Sequence, residues 1–206
     1  MAMTGQDGGQ DGRQDEHRGL WLAVAPYLRS RKGDVHVPIA YRYAERLADA
    51  HPDCDRDVVL AAILLHDVGW ALVDEEAMRR EGHVAGRMRS AIRYAHEREG
   101  ARVAGELLPA LGYRPETVAE VVAIVDGHDT RSEALSLNDS LVKDADKLWR
   151  FDVVGISVAC DWFSMTPAQF ARQVGGQIDD LFTAPAREIA TMEFARARDL
   201  LRLDVL

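Results

Sequence analysis

The sequence predicts an all-α fold, and three observations support this prediction. Most apolar positions after residue 19 recur every three or four residues, which is the spacing of one helix face. Proline, threonine and glycine stand at the ends of these segments, where they act as start and stop signals of helices. The run Val153–Cys160 has a β-like composition, but it is short and has no partner strand. We therefore expect a bundle of helices.

The first half of the chain contains four predicted helices. Asp34 is expected to cap a helix that starts near residues 35–37, because the proline that follows is tolerated only in a first turn. The segment Asp57–Gly69 is apolar nearly all round, which predicts a central buried helix that stops at its final glycine. Two further helices are expected, one from about Tyr94 to Leu111 and one that begins at Pro115.

Three more helices are predicted in the second half. The segment Asn138–Val153 is expected to be helical around the sequence KDADKLWRF. Thr166 is followed by proline and, three positions on, by Gln169, which is the pattern of a capping box at a helix start. A final helix is expected from about residue 184 to Leu203.

The length of 206 residues predicts one domain, which we place at residues 19–206. Residues 1–18 are rich in Gly, Gln and Asp and contain no aromatic residue, so we expect a disordered leader there. From Leu20 onward the composition is uniform, without repeats or a long linker.

The composition excludes several classes of function. The net charge of −9 disfavours binding to nucleic-acid polymers and to anionic membranes. The longest apolar run, Val58–Leu65, is too short to span a bilayer. The N-terminus shows no signal-peptide pattern, and Cys54 and Cys160 are too few for a disulfide framework, so a cytoplasmic location is expected. A homodimer is compatible with the size and the acidic surface.

Histidines and aspartates occupy positions that should point inward. His66 follows core residues of the central helix by three and four positions, and Asp146 shares its face with Val142 and Trp149. His128 ends an apolar stripe. Buried carboxylates without partners are costly, so one or two divalent ions are the simplest shared explanation. Imidazole and carboxylate ligands suit Mn, Fe, Co, Ni or Zn, and Mg less well.

These residues carry a resemblance to a known family. His36, the sequence HDVGW at residues 66–70 and the sequence KDADKL at residues 143–148 resemble the H…HD…D motif of the HD superfamily of metal-dependent phosphohydrolases. The resemblance covers about residues 30–155, which would form the metal-site core. It implies an all-helical domain, with residues 156–206 adding C-terminal helices.

The resemblance also implies a ligand set. Four positions match the family's ligands of a single metal, namely His36, His66, Asp67 and Asp146. Asp146 is preferred to Asp144, because the family's ligand directly precedes the basic residue; Asp144 is expected to be solvated or paired with a lysine. His96 and His128 match the extra histidines of the two-metal subset, in which Asp67 would bridge the ions. Alternatively, these two histidines surround one ion as phosphate donors or as partners of its ligands.

The chemistry implied is attack of a metal-activated water on a phosphoester. Asp67 would hold the metal and orient or deprotonate the water, and His96 or His128, if not metal-bound, would protonate the leaving oxygen. Asp129 is a candidate partner for a histidine ring. Glu97 and Glu99 are expected on the solvated surface. The candidate phosphate-binding residues are Lys143, Lys147, Arg131 and Arg150.

The favoured function is therefore a phosphohydrolase for a nucleotide or another small phosphorylated metabolite. Phosphate-binding loops of the Walker type, dinucleotide-binding glycine motifs and the serine-hydrolase elbow have no counterpart in the sequence. Two alternatives stay open. Some two-metal members of the superfamily are di-iron oxygenases, and a non-catalytic helical protein stabilised by metal would carry the same ligands.

Overall fold

The computed structural model describes residues 17–74 and 91–203, and within these ranges the chain is helical without strands. The predicted all-α fold is confirmed. The α-helices of the described residues are α1 (Arg18–Val24), α2 (Gly33–Ala50), α3 (Arg56–Leu65), α4 (Ala91–Ala110), α5 (Pro115–Val125), α6 (Leu137–Leu148), α7 (Val153–Phe163), α8 (Pro167–Gly175) and α9 (Ala184–Leu200). Short 3₁₀ turns lie at Ser30–Lys32, Val68–Ala71, Trp149–Phe151 and Ile178–Asp180.

Helix α3 is the centre of the bundle. Every residue from Val58 to Leu65 is buried, as expected for a helix that is apolar all round. It packs against α2, α5 and α6, and more lightly against α1 and α4. The side chain of Asp55 caps its start by accepting from the backbone N–H of Asp57 and of Val58. This central helix therefore delivers its C-terminal end, and the residues after it, to the middle of the molecule.

The helix ends follow local signals in most places. The capping box at Thr166 is confirmed, since its hydroxyl accepts from the Gln169 N–H and the Gln169 side chain accepts from the Thr166 N–H. Pro115 opens α5 as predicted. The glycine at position 112, with φ of +84°, follows the end of α4 in the left-handed conformation that this residue type tolerates.

Two expectations about helix ends are wrong, and a third segment forms a helix that the sequence did not predict. Helix α2 starts at Gly33, so Asp34 lies in its first turn and does not cap it. Helix α3 ends at Leu65, before Gly69. The β-like run at residues 153–160 is helix α7, because Asp152 caps it and its Ile156 side chain packs into the core. Tertiary packing outweighs the β-branched composition of this run.

Two polar residues are buried where the sequence suggested solvent. Asp144 is fully buried, and its carboxylate accepts from the backbone N–H groups of Phe182 and Thr183 and from the Thr183 hydroxyl. It thereby holds the chain at the start of α9. His17, which we assigned to the leader, is also buried and lies 2.9 Å from the Tyr113 hydroxyl. Residues 1–16 of that predicted leader lie outside the described residues, and so does His83, a histidine whose sequence neighbours form no clear helical stripe.

No helix among the described residues is both long enough and apolar enough to cross a membrane.

Candidate metal centre

Five segments of the bundle bring the predicted histidines and aspartates together. His36 lies on α2, His96 on α4 and Asp146 on α6. The pair His66–Asp67 directly follows α3, and His128 follows α5 by three residues. All four histidines are buried, so their ring nitrogens face one another and not bulk water.

The first group of ligand atoms surrounds His36 and His66. Their Nε2 atoms are 2.9 Å apart. The Asp146 Oδ1 atom lies 3.1 Å from the Nε2 atom of His36 and 3.5 Å from that of His66. The Asp67 Oδ2 atom lies 3.4 Å from each of the two Nε2 atoms. The ligand atoms of His36, His66 and Asp146 lie close enough together to hold one metal ion.

The second group uses the other carboxylate oxygen of Asp67. Its Oδ1 atom lies 3.5 Å from the Nε2 atom of His128 and 3.8 Å from that of His96. The two histidine Nε2 atoms are 3.4 Å apart. One carboxylate thus faces both groups, with one oxygen toward each, which is the arrangement of a carboxylate that bridges two ions.

These separations fit metal ligation. Atoms bound to one ion at about 2.0–2.2 Å lie about 2.8–3.6 Å from one another in octahedral or tetrahedral sites, which covers every separation above except the slightly longer 3.8 Å between His96 and Asp67. The Nδ1 atoms of His66 and His128 lie 2.8 Å and 3.0 Å from the backbone carbonyls of Ile63 and Val125. A neutral ring that donates to a carbonyl through Nδ1 presents an unprotonated Nε2 to the centre. The residues present could therefore hold one or two divalent transition-metal ions.

Trp70 and Gly69 fix the geometry around Asp67. The Trp70 indole N–H donates to the Asp67 Oδ1 atom at 2.9 Å, and its ring stacks on His96 with centroids 3.8 Å apart. A Cβ atom at Gly69 would lie 1.9 Å from the His96 carbonyl oxygen, so only glycine fits. The turn after Asp67 therefore packs directly on the backbone of α4. Sequence reasoning missed the role of Trp70, although its spacing of three residues from Asp67 was a usable signal.

Charge coupling inside the centre is strong. Burial works against ionisation of Asp67 and Asp146, but the facing histidines outweigh it and hold the pKa of both carboxyls well below the usual range. Burial also disfavours a charged His66, yet these two carboxylates raise its pKa to about 9. Without metal, protons on the histidines therefore neutralise the negative charge of the carboxylates, and a bound metal cation would replace these protons.

His96 differs from the other histidines. Burial and the neighbouring His128 lower its pKa to about 3, so it is neutral at physiological pH. A neutral imidazole suits a metal ligand. It does not suit a general acid, because almost no protonated form exists at neutral pH. The role of proton donor that we considered for His96 is therefore disfavoured.

The predicted phosphate-binding residues lie elsewhere. The Lys143 ammonium is buried and donates to three backbone carbonyls, of Gly127, His128 and Arg131, at 2.7–3.0 Å. The Arg131 guanidinium donates to the Asp126 and Ala123 carbonyls and to Asp139. These positions contradict a phosphate-binding role for either residue, because the protein itself occupies their donors.

Lys147 and Arg150 point to a different part of the surface. Both line a small cavity of about 60 Å³ with Phe151, Gln177 and Asp180. The Lys147 ammonium lies 5.2 Å from the Phe182 ring. None of the residues that line this cavity belongs to the metal-ligand groups, so neither cation is brought to the centre.

A hydrogen-bonded group behind His128 was also missed by the sequence reasoning. Glu97 is buried and accepts from the backbone N–H groups of Asp129 and Thr130 and from the Thr130 hydroxyl, so its predicted surface position is wrong. Asp129 pairs with Arg93, and it bonds no histidine ring among the described residues. These contacts connect α4 to the turn that carries His128. The position of Glu97 next to His96 was the available signal.

The centre is open on one side. The Asp67 side chain keeps 24% of its exposure and Asp146 keeps 12%, whereas the His66 and His96 side chains keep none. The carboxylate between the two groups thus reaches solvent while the rings behind it are sealed. A purely structural site is expected to be closed on all sides.

An all-helical bundle with a shared carboxylate between two histidine groups defines a class of metal-binding helical domain. The family model of the HD domain matches residues 35–150, which include all six residues of the centre. The chain belongs to the HD domain family. This membership supports metal-dependent phosphohydrolase chemistry in general and the binding of divalent metal.

Two known proteins add to this comparison. A crystal structure of a predicted HD superfamily hydrolase from an uncultured Thermotogales bacterium is similar in fold, with a TM-score of 0.61, 22% identity and coverage of 90% of both chains. A tRNA (cytidine(56)-2'-O)-methyltransferase of Picrophilus torridus is 30% identical over 122 residues, which are 52% of this chain. The match spans only 34% of that relative's length.

Proposed function

We propose that this protein hydrolyses a phosphoester of a nucleotide or of another small phosphorylated metabolite, with two divalent ions at the centre. The observation that carries the proposal is the position of Asp67, which directs one oxygen to each histidine group and remains partly exposed. A carboxylate that faces both groups and lies beside solvent suits two metal ions that must admit both water and substrate.

The ligand roles follow from the two groups of atoms. The residues that would hold the first ion are His36, His66, Asp146 and Asp67 through its Oδ2 atom. The residues that would hold the second are His96, His128 and Asp67 through its Oδ1 atom. Bound divalent ions supply a water whose pKa is lowered toward about 7 and stabilise negative charge on phosphoryl oxygens.

Neighbouring groups hold the ligand side chains in this arrangement. The Trp70 N–H bond fixes the Asp67 carboxylate, and the Ile63 and Val125 carbonyls fix the rings of His66 and His128. The ligands are therefore preorganised, so little reorganisation is required when charge develops on the phosphoryl group.

The test combines elemental analysis with hydrolysis assays. The wild type, purified without chelator, is compared with Asp67→Ala and with the matched control Asp179→Ala, whose carboxylate is exposed on a distant turn. We expect about two ions per wild-type chain, loss of both in Asp67→Ala, and phosphate release from a panel of nucleotides and phosphomonoesters. Activity of Asp67→Ala should fall by more than about 100-fold, which is the upper effect seen for partners of metal ligands.

The alternatives predict other results. One ion per chain, with hydrolysis retained, would assign His96 and His128 to the surroundings of a single metal. Two irons with oxygen uptake and no phosphate release would instead indicate an oxygenase. Metal that stabilises the fold without any turnover would indicate a structural role. A wild type that binds no divalent ion would refute the proposal altogether.

A further inference from the structure

Arg31 lies beside the metal centre in an unusual backbone conformation. It belongs to the 3₁₀ turn Ser30–Lys32, which directly precedes α2. Arg31 and Lys32 have φ values of +48° and +59°, in the left-handed region that non-glycine residues rarely adopt. The Ser30 hydroxyl donates to the Trp70 carbonyl at 3.3 Å and fixes this turn against the one after Asp67. Strained backbone of this kind is concentrated at functional sites.

The Arg31 guanidinium is held by aromatic side chains. Its central carbon lies 4.1 Å from the centroid of the Trp70 ring and 5.5 Å from that of Trp162. The same Trp70 side chain donates to Asp67 and stacks on His96. A single indole thus connects the guanidinium to both groups of metal ligands.

No residue within the part of the chain that the structure describes occupies the hydrogen-bond donors of Arg31. Among residues 17–74 and 91–203, no carboxylate lies within ion-pair distance of its guanidinium and no hydrogen bond is formed by it, whereas Arg93, Arg131 and Lys143 are all bonded to the protein. Burial lowers the pKa of Arg31, and the negative charges of Asp67 and Asp129 partly offset this effect. The guanidinium therefore lies within the electrostatic field of the centre while its donors remain available.

We propose that Arg31 binds the phosphoryl group of the substrate beside the metal ions, with Trp70 holding its guanidinium in place. This inference rests on the proposed hydrolase function. The ligand would be a phosphate monoester or diester anion, because a planar guanidinium offers paired donors that match two phosphoryl oxygens. Stacking on an indole leaves those donors free at the edge of the guanidinium plane.

The experiment compares Arg31→Gln and Arg31→Lys with the control Arg29→Gln, whose side chain is exposed two residues away. Each metal-loaded protein is titrated with inorganic phosphate by calorimetry. KM and kcat are measured separately on whichever phosphoester the wild type hydrolyses, and metal per chain is determined for every variant. We expect Arg31→Gln to bind phosphate at least tenfold more weakly and to raise KM similarly, with metal content unchanged. Arg31→Lys, which keeps the charge, should recover part of the loss, and Arg29→Gln should match the wild type.

The other outcomes separate this inference from the proposed function. Unchanged phosphate affinity and KM in Arg31→Gln, with an active wild type, would overturn the role of Arg31 and leave the hydrolase standing. Loss of metal in both Arg31 variants would also overturn it, since Arg31 would then support the ligands and not the substrate. A metal-loaded wild type that neither binds phosphate nor hydrolyses any phosphoester would refute the proposed function, and the role of Arg31 with it.

Discussion

Replacing Lys143 with methionine should destabilise the protein and disturb the position of His128. The Lys143 ammonium donates to the carbonyls of Gly127, His128 and Arg131. The Gly127 carbonyl also accepts from the Arg131 N–H, so it would keep a partner. The other two carbonyls would lose the donor that the described residues provide.

The expected magnitude follows from these two carbonyls. Leaving a buried acceptor unsatisfied costs about 1–3 kcal/mol. Methionine preserves most of the side-chain volume and removes the desolvation cost of the buried ammonium, which offsets part of the loss. We therefore expect Lys143→Met to lower the free energy of unfolding by about 3 kcal/mol. The second metal-ligand group should lose about 10–100-fold in affinity, because the turn that carries His128 is no longer fixed.

The assay is urea unfolding in the presence of chelator, with metal per chain measured on separate samples. Lys147→Met is the matched control, because Lys147 lies one turn further along α6 and is only partly buried. The control should change the unfolding free energy by less than about 1 kcal/mol. Equal losses in the two variants, or a loss below about 1 kcal/mol in Lys143→Met, would refute the argument that this ammonium supports the turn.

Three further perturbations test other parts of the structure. Gly69→Ala should cost about 3 kcal/mol or more in urea unfolding, because its Cβ would meet the His96 carbonyl; Gly105→Ala, whose nearest neighbour would be at 3.7 Å, should be neutral or stabilising. The pKa of His66 in the metal-free protein is about 9, above its value of about 6.5 in the unfolded chain. Protonation of His66 therefore stabilises the folded state, and this stabilisation is complete below about pH 6.5 and is lost as the pH rises through about 9. Chelator-treated protein should therefore lose up to about 3 kcal/mol between pH 6.5 and 9 in urea titrations, and a gain over this window would contradict the coupling. Asp144→Asn should cost about 1–2 kcal/mol and speed amide exchange at Phe182 and Thr183, whereas unchanged exchange there would show that Asp144 does not hold the chain at the start of α9.

Much of the fold could be predicted because its signals are local. Thr166 and Gln169 define a helix start by bonds within four residues, and Pro115 does so by its fixed φ. Helix α7, which includes residues 153–160, was not predicted, and the reason is different. A β-branched run has no local preference for helix, and α7 forms because Asp152 caps it and its apolar face meets a core assembled from distant segments.

The histidines and aspartates of the centre could also be placed on inward faces, because helical spacing determines which side of a helix each residue occupies. The structure then brings all six of them together. Asp67 needed more than spacing, since it lies beyond the end of α3, where the turn around Gly69 determines its direction. The distance of His128 from Asp67 likewise depends on Lys143 and Glu97, which hold its turn from two other helices. No pattern within one helix encodes such contacts.

The cations near the centre show why charge and sequence proximity are poor guides to substrate binding. Lys143 lies three residues before Asp146 in sequence, yet backbone carbonyls at the end of α5 occupy its ammonium. Backbone carbonyls that accept no hydrogen bond within a helix still require a donor when they are buried. Water does not reach the core, so a nearby lysine supplies the donors, and the free-energy cost of unsatisfied carbonyls is avoided. Arg31 faces the opposite situation, because its strained turn and the Trp70 ring hold it where no backbone acceptor among residues 17–74 and 91–203 bonds to it. A cation is available to a substrate only where the protein leaves its donors unoccupied, and that depends on the path of neighbouring backbone and not on distance along the chain.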